Sequence, residues 1–213
     1  MKISGFAYIR NGLTYGYPFV PSIKSLLPVV DELIVVVGDS TDGSREEIAN
    51  IQGDKIKIID TVWDEEPRKS GKIFAQQSNL GLEKINGGWA IHLQADEVLH
   101  EHDQDEIINA VKQTDAREDI DGVLFPFLHF WEDYNHIRNT RRTRRYEIRA
   151  FRNTGKVRSY KDSQGFIIYS NPAADHKGQK LRVIKTDSAI YHYAFARHSA
   201  LMTKSLTFSQ ILA

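Results

Sequence analysis

The chain has 213 residues, 41% of them hydrophobic and 26% charged, which suits one sizeable domain, or a domain with an appended tail, that buries a core without covalent staples. Its 28 Lys plus Arg balance 28 Asp plus Glu, so no global field draws it to nucleic acid or to an anionic membrane, and any charged ligand must meet a local site. With no cysteine, disulfides, thiolate metal sites and a cysteine nucleophile are excluded.

Ile3 to Ile9 is a short apolar run that reads as a buried strand, and Arg10 interrupts it too soon for a signal peptide. No stretch reaches the ~18 apolar residues of a membrane span. A cytoplasmic protein is expected, and a peripheral contact with a membrane is compatible with this composition. Pro21 to Leu27 reads as a helix with a proline at its start. Leu33 to Val37 is β-branched and continuously apolar, the pattern of a strand covered on both faces in a parallel sheet. It runs into the turn residues Gly38 to Gly43, after which Ser44 and Glu47 form a capping box before a helix.

Lys55 to Asp60 reads as a third strand, Gly71 to Lys84 as a helix, Trp89 to Leu93 as a fourth strand and Asp103 to Lys112 as a helix. Strand and helix alternate to this point, which argues for a parallel sheet. Beyond it come a strand over Val123 to Phe130, a seven-arginine segment from Arg138 to Arg152, a strand over Ile184 to Tyr193 and a helix over His198 to Leu212. That last helix stops without a capping signal, so the chain is expected to be cut short there. No internal repeat, low-complexity tract or linker stands out.

In open α/β sheets, ligands bind beyond the carboxyl ends of the strands. Three polar clusters fall there: Arg10-Asn11, Asp39 to Asp42, and Gln94 to Glu97. The carboxylates of Asp96 and Glu97 suit a hard divalent cation such as Mg2+ or Mn2+, which also takes substrate phosphates. The bland reading is a pair of acids placed at a helix start. Gly38 to Ser44 has neither phosphate-loop nor dinucleotide-fingerprint spacing and reads as a turn. The arginine segment suits bidentate phosphate binding or a nucleic-acid stripe. Its commonest reading is a solvated hairpin whose arginines pair with nearby acids. His100 and His102 read as exposed helix-start residues. His192, inside the aromatic run 190–193, is either a hydrogen-bonded core histidine or the imidazole that completes a metal site.

Taken in order, Val35 to Ser44, Gln76-Gln77-Ser78-Asn79-Leu80-Gly81 and Gly88 to Val98 resemble the family 2 glycosyltransferases of the GT-A fold. Ser159 to Phe166 and Tyr191 to Arg197 look like a bacterial subgroup of that family. The resemblance spans nearly the whole chain. It implies a single GT-A domain, a Rossmann-like, mostly parallel sheet flanked by helices with a mixed strand and hairpin part. Residues 1–115 would bind the nucleotide sugar, and residues 116–213 would face the acceptor. It implies an inverting transfer from a nucleoside diphosphate sugar to a glycan, lipid-linked or other hydroxyl acceptor, in bacterial polysaccharide or glycan synthesis, with no nucleic acid partner.

The family's Asp-x-Asp motif maps onto Gln94-Ala95-Asp96. Asp96 would hold Mn2+ or Mg2+ on the diphosphate, with His192 as a second ligand. Gln94 would hydrogen-bond a ribose hydroxyl at the loss of one negative charge. Arg10 and Asn11 would lie near base or ribose, and Asp39, in the cluster with Asp42, would meet the base in place of an acid at 37 or 38. Arg145 and Lys72 would help neutralise the leaving diphosphate. Asp162 is the first candidate for the base that activates the acceptor, and Glu147 the second. Two rivals are a sugar-1-phosphate nucleotidyltransferase, which would carry a glycine-rich exit where this chain has Ile9-Arg10-Asn11-Gly12, and a binding module without transfer activity.

Overall fold

A computed structural model describes residues 1–64, 71–172 and 177–196. Four parallel strands form the first half of the sheet: β1 (Ile3–Ile9), β2 (Glu32–Val37), β3 (Ile56–Asp60) and β4 (Trp89–His92), in the order β3-β2-β1-β4. Every residue of β1, β2 and β4 is buried, as continuous apolar runs demand. Alternation along the strands then builds two cores. Ile3, Ile9, Leu33, Val35 and Val37 face helix α2 (Phe19–Leu26), through Phe19, Ile23 and Leu26, and helix α5 (Gln104–Asp115), through Ile107 and Val111. Phe6, Tyr8, Ile34 and Val36 face helix α4 (Lys72–Lys84) through Ile73 and Leu82.

The second half extends the same sheet past β4. The strand β7 (Tyr146–Arg152) lies antiparallel beside β4, and β6 (Gly122–Trp131) lies antiparallel beside β7. Both β11 (Val183–Lys185) and β12 (Ile190–Phe195) pair parallel with β6, and β5 (Glu97–Leu99) closes the edge against β12. A separate antiparallel sheet of β8 (Val157–Ser159), β9 (Phe166–Ile168) and β10 (Gln179–Lys180) packs through Val157 and Phe166 onto the α4 side. Short helices α1 (Gly12–Tyr15) and α3 (Ser44–Ala49) follow the exits of β1 and β2. Among the described residues no helix is long and apolar enough to cross a membrane.

Several expectations need correction. Helix α2 begins at Phe19, so Pro21 falls inside its first turn, where its missing N–H has no intrahelical partner to lose. No capping box forms at Ser44. The cap is Gly43, left-handed at φ 88°, and the Asp42 carboxylate accepts the Ser44 N–H at 3.0 Å. The run 184–193 is two strands rather than one, interrupted where Thr186 Oγ1 turns aside to donate to Glu106 at 3.0 Å. Glu97 to Leu99 is a strand, not a helix start. The arginine segment is no solvated hairpin over its whole length, since it enters the middle of the sheet as β7, where Arg149 is 2% exposed. The helix expected over 198–212 lies outside the described residues.

Candidate functional site

Because β1, β2 and β4 run parallel, their carboxyl ends share one edge, and a cavity of about 500 Å³ opens there. Arg10 and Asn11 enter it from the end of β1, Gln94 and Asp96 from β4, Phe127 and His129 from β6, Arg144, Glu147 and Arg149 from β7 and its approach, and His192 from β12. Asp162 lines it from the turn between β8 and β9.

The Asp96 turn is held from four sides. The Glu97 N–H donates to the Gln94 carbonyl at 3.1 Å, and the Gln94 N–H donates to Glu97 Oε2 at 3.0 Å. Ser22 Oγ donates to the Gln94 carbonyl at 3.0 Å, and the Tyr193 N–H to the Asp96 carbonyl at 2.8 Å. Glu97 is fully buried and takes both Nε and Nη2 of Arg149, at 2.8 and 2.5 Å. Arg149 reaches Glu147 at 3.5 Å, and Glu147 pairs at its other oxygen with Arg144. A chain of alternating charge therefore runs from the floor to the rim: Glu97, Arg149, Glu147, Arg144. Burial works against the Arg149 charge, but Glu97 and then Glu147 outweigh it and hold the guanidinium above its ordinary range. Glu97 is thus committed to Arg149 and is no second ligand beside Asp96. The tandem acids differ in their partners: Glu97, at the buried floor of the cavity, is taken by Arg149, while Asp96, in the turn before β5, faces His192.

Asp96 meets His192 instead, with Oδ2 3.5 Å from Nε2. His192 Nδ1 lies 2.9 Å from Nδ1 of His129, its direct partner in the β6–β12 register, and His129 Nε2 lies 2.9 Å from the Arg144 carbonyl. Burial lowers the His192 pKa, but the Asp96 carboxylate more than compensates and raises it above the usual imidazole value. Burial and the neighbouring His192 lower that of His129. Among the described residues no group of three His, Asp or Glu stands ready to hold an ion by itself. What the site offers is one carboxylate and one imidazole on an open cavity, a donor set that suits Mg2+ or Mn2+ when substrate phosphates and water complete the shell. Beneath them lies Tyr8, whose hydroxyl burial pushes to higher pKa, against a hydrogen bond with Ser163.

At the other end Asp39 grips Arg10 with both oxygens, at 2.9 and 3.0 Å, and accepts the Trp63 N–H at 3.2 Å. Burial raises the Asp39 pKa, but the Trp63 N–H and Arg10 pull it below the usual carboxylate value. Asp39 does not line the cavity; it sets Arg10 over the Trp63 ring, 5.5 Å from its centroid. A Cβ on Gly38 would come within 2.6 Å of the Trp63 indole nitrogen, so there is no room for an acid at that position. Asn11 holds a left-handed φ of 50° while its side chain accepts the Thr41 N–H at 2.9 Å. Asp42 is spent on the turn, accepting the N–H groups of Thr14 and Ser44 at 2.7 and 3.0 Å.

Two expected cations fall elsewhere. Lys72 lines a separate groove between α4 and Tyr160, and Arg145 is exposed outside the cavity, which Arg144 and Arg149 enter in its place. Of the two base candidates, Glu147 has both oxygens paired with arginines, whereas no described residue pairs with the exposed Asp162 carboxylate. Asp162 is flanked by Lys161 at φ 55° and Ser163 at φ 63°, left-handed residues of the kind that strained functional turns retain. Arg144, Arg149, His129, Tyr8 and Trp63 were not expected at the site. For Arg149 and His129 the signal was the period-two spacing of Glu147 with Arg149 and of Phe127 with His129, which is legible once β6 and β7 are read as strands facing one cavity.

No family model and no curated protein matches the chain. Solved structures do. S. aureus TarS matches with a TM-score of 0.51 and 13% identity over 90% of this chain, which spans only 36% of TarS. The 1–349 piece of TarS, in complex with UDP-GlcNAc, matches with a TM-score of 0.52 and 14% identity over 100% of this chain and 71% of that one. The 4-diphosphocytidyl-2C-methyl-D-erythritol synthase from Anaerococcus prevotii DSM 20548 matches with a TM-score of 0.51 and 11% identity over 98% of both chains. At these identities the likeness is one of fold: a mostly parallel α/β sheet flanked by helices, with a smaller antiparallel sheet beside it, as a GT-A fold requires.

Proposed function

We propose that this chain is an inverting glycosyltransferase of the family 2 kind, moving a sugar from a nucleoside diphosphate sugar to a hydroxyl of a glycan or lipid-linked acceptor. The observation that carries it is one cavity holding the Asp96–His192 pair, the Arg144 guanidinium and the Asp162 carboxylate, which pairs with no described residue. The fold likeness to TarS, a protein solved with UDP-GlcNAc, supports the choice of donor class.

Cleavage at the anomeric carbon leaves negative charge on the departing diphosphate. A divalent cation, Mn2+ or Mg2+, bound at Asp96 and His192 would act there as a Lewis acid. Arg144 adds a second positive charge, already aimed by Glu147. Arg10, Asn11 and Gln94 face the nucleoside end, and Trp63 gives that end an aromatic wall. Asp162 takes the proton from the acceptor hydroxyl as its oxygen attacks the anomeric carbon opposite the leaving diphosphate. One bond forms and one breaks on opposite faces, so configuration inverts.

The test is a transfer assay with radiolabelled nucleotide sugars and a mixed glycan and lipid-linked acceptor panel. Asp96→Ala should lose at least about a hundredfold in turnover; wild-type turnover in that variant would count decisively against the mechanism. A second reading, nucleotidyl transfer to a sugar phosphate, draws on the end-to-end fold likeness to the Anaerococcus synthase. The exit of β1 argues against it, because Asn11 leads directly into α1 where a glycine-rich loop would be needed. Release of pyrophosphate from a nucleoside triphosphate and a sugar phosphate would establish that reading instead.

A further inference from the structure

We propose that His129 is a positioning residue that selects the tautomer of His192 and so keeps the lone pair of His192 Nε2 directed at Asp96. The consequence for a bound cation rests on the function proposed above, but the tautomer follows from geometry alone.

His129 Nε2 lies 2.9 Å from the Arg144 carbonyl. A carbonyl oxygen only accepts, so Nε2 of His129 carries a proton. A neutral imidazole has one ring proton, which leaves Nδ1 of His129 bare. That Nδ1 lies 2.9 Å from Nδ1 of His192. Two ring nitrogens this close need a proton between them, and only His192 has one to give. His192 therefore donates from Nδ1, and in the neutral ring its Nε2 presents a lone pair toward Asp96 Oδ2 at 3.5 Å. Two electron-rich atoms facing each other across that gap invite a cation between them. In the opposite tautomer, Nε2–H would donate to Asp96 and close the pair on itself.

The elements enforce this order. Parallel pairing of β6 and β12 sets His129 directly beside His192, with the rings edge to face at 4.7 Å between centroids. Arg144 contributes at both ends: its carbonyl starts the relay, while its guanidinium lines the cavity against Glu147. Metal-ligating histidines generally donate their other ring N–H to an acceptor that fixes their tautomer and orientation. Here that acceptor is a second imidazole, itself fixed by the main chain.

The experiment uses the whole chain labelled with 15N-histidine, at a pH where both rings are neutral, and reads the tautomer from long-range proton–nitrogen spectra. His192→Gln assigns the signals. Wild type should show His192 protonated at Nδ1 and His129 at Nε2. His129→Asn places an amide oxygen where Nδ1 was and should keep the Nδ1–H form of His192. His129→Leu, and His129→Gln, whose amide sits at the Nε2 position, should both turn His192 to the Nε2–H form. The Gln variant decides the matter if the Leu variant does not fold. An Nε2–H His192 in wild type, or an unchanged Nδ1–H form in both the Leu and Gln variants, would overturn the proposal. Mn2+ binding read by electron paramagnetic resonance should weaken about 10- to 100-fold in Leu and Gln and stay within about threefold of wild type in Asn. If wild type binds no Mn2+, the cation reading of the site fails, while the spectra still decide the role of His129.

Discussion

At the residue scale the site is organised by one buried ion pair. Glu97 and Arg149 are each almost wholly enclosed, and the energy of such a pair lies less in its net stabilisation than in the cost of breaking it. Arg149→Met should therefore destabilise the protein by roughly 3–5 kcal/mol in urea unfolding, because Glu97 keeps a buried charge without its counter-ion. Adding Glu97→Gln should recover part of that loss. Additive losses in the double variant would show that the two side chains do not act as a pair. The two base candidates separate in the same way. Asp162→Asn should lower kcat by about 10²–10⁴ with donor affinity nearly unchanged. Glu147→Gln should reduce stability and donor affinity together, since it releases Arg144 and leaves Arg149 held by Glu97 alone. A Glu147→Gln variant that lost only kcat would move the base to Glu147. The sequence sets Asp96 at a strand exit and His192 in an apolar run, and both line the cavity, 3.5 Å apart. The pairing of Glu97 with Arg149 was not legible, because the two residues lie more than fifty positions apart in sequence.

At the scale of elements, the amino ends of β1 to β3 are tied by Glu32. Its carboxylate accepts from Ser4 Oγ at 2.7 Å, the Asn86 N–H at 3.0 Å and Lys57 at 2.9 Å, with Lys2 at 3.1 Å. Burial raises its pKa, but these four partners overcome the effect and bring it to about 2, from an ordinary 4.5. The folded value lies below the unfolded one, so the contribution is complete above about pH 4.5 and disappears as pH falls to about 2. It is on the order of 3 kcal/mol. Glu32→Gln should lower the melting temperature at pH 7 and flatten its dependence on pH between 5 and 2. An unchanged slope in that variant would show that Glu32 does not carry the acid sensitivity. At the β2 exit, Gly38→Ala should displace Trp63, cost about 1–3 kcal/mol and change the indole fluorescence; an unshifted emission spectrum would mean that the indole accommodates the methyl. The first four strands were legible because their patterns are continuous and their order alternates with helices. The Ser44 capping box was not borne out, because Asp42, two residues earlier, reaches the same N–H first.

For the whole molecule, a net charge of zero hides a densely charged cavity. Its acids come from both halves of the chain, at Asp96, Glu97, Glu147 and Asp162, and its cations from β7 and its approach, at Arg144 and Arg149, and from the end of β1, at Arg10. That convergence is tertiary. β7 follows β4 by more than fifty residues and lies next to it in the sheet, which no local pattern announces. The sheet edge that carries the cavity followed from the parallel topology, and Glu147 and His192 followed from the resemblance, whereas Phe127, His129, Arg144 and Arg149 did not.

The central claim is that a nucleoside diphosphate binds at Asp96. The most direct measurement is melting temperature against a panel of nucleoside diphosphates and their sugars, with and without Mn2+, in wild type and in Asp96→Ala. A ligand that binds only the folded chain raises the melting temperature by mass action, by an amount worth about 2.7 kcal/mol at a hundred times its Kd. The expected result is a rise with one base that needs Mn2+ and is lost in Asp96→Ala. No rise with any nucleotide in a folded sample, or the same rise in the variant, would contradict it.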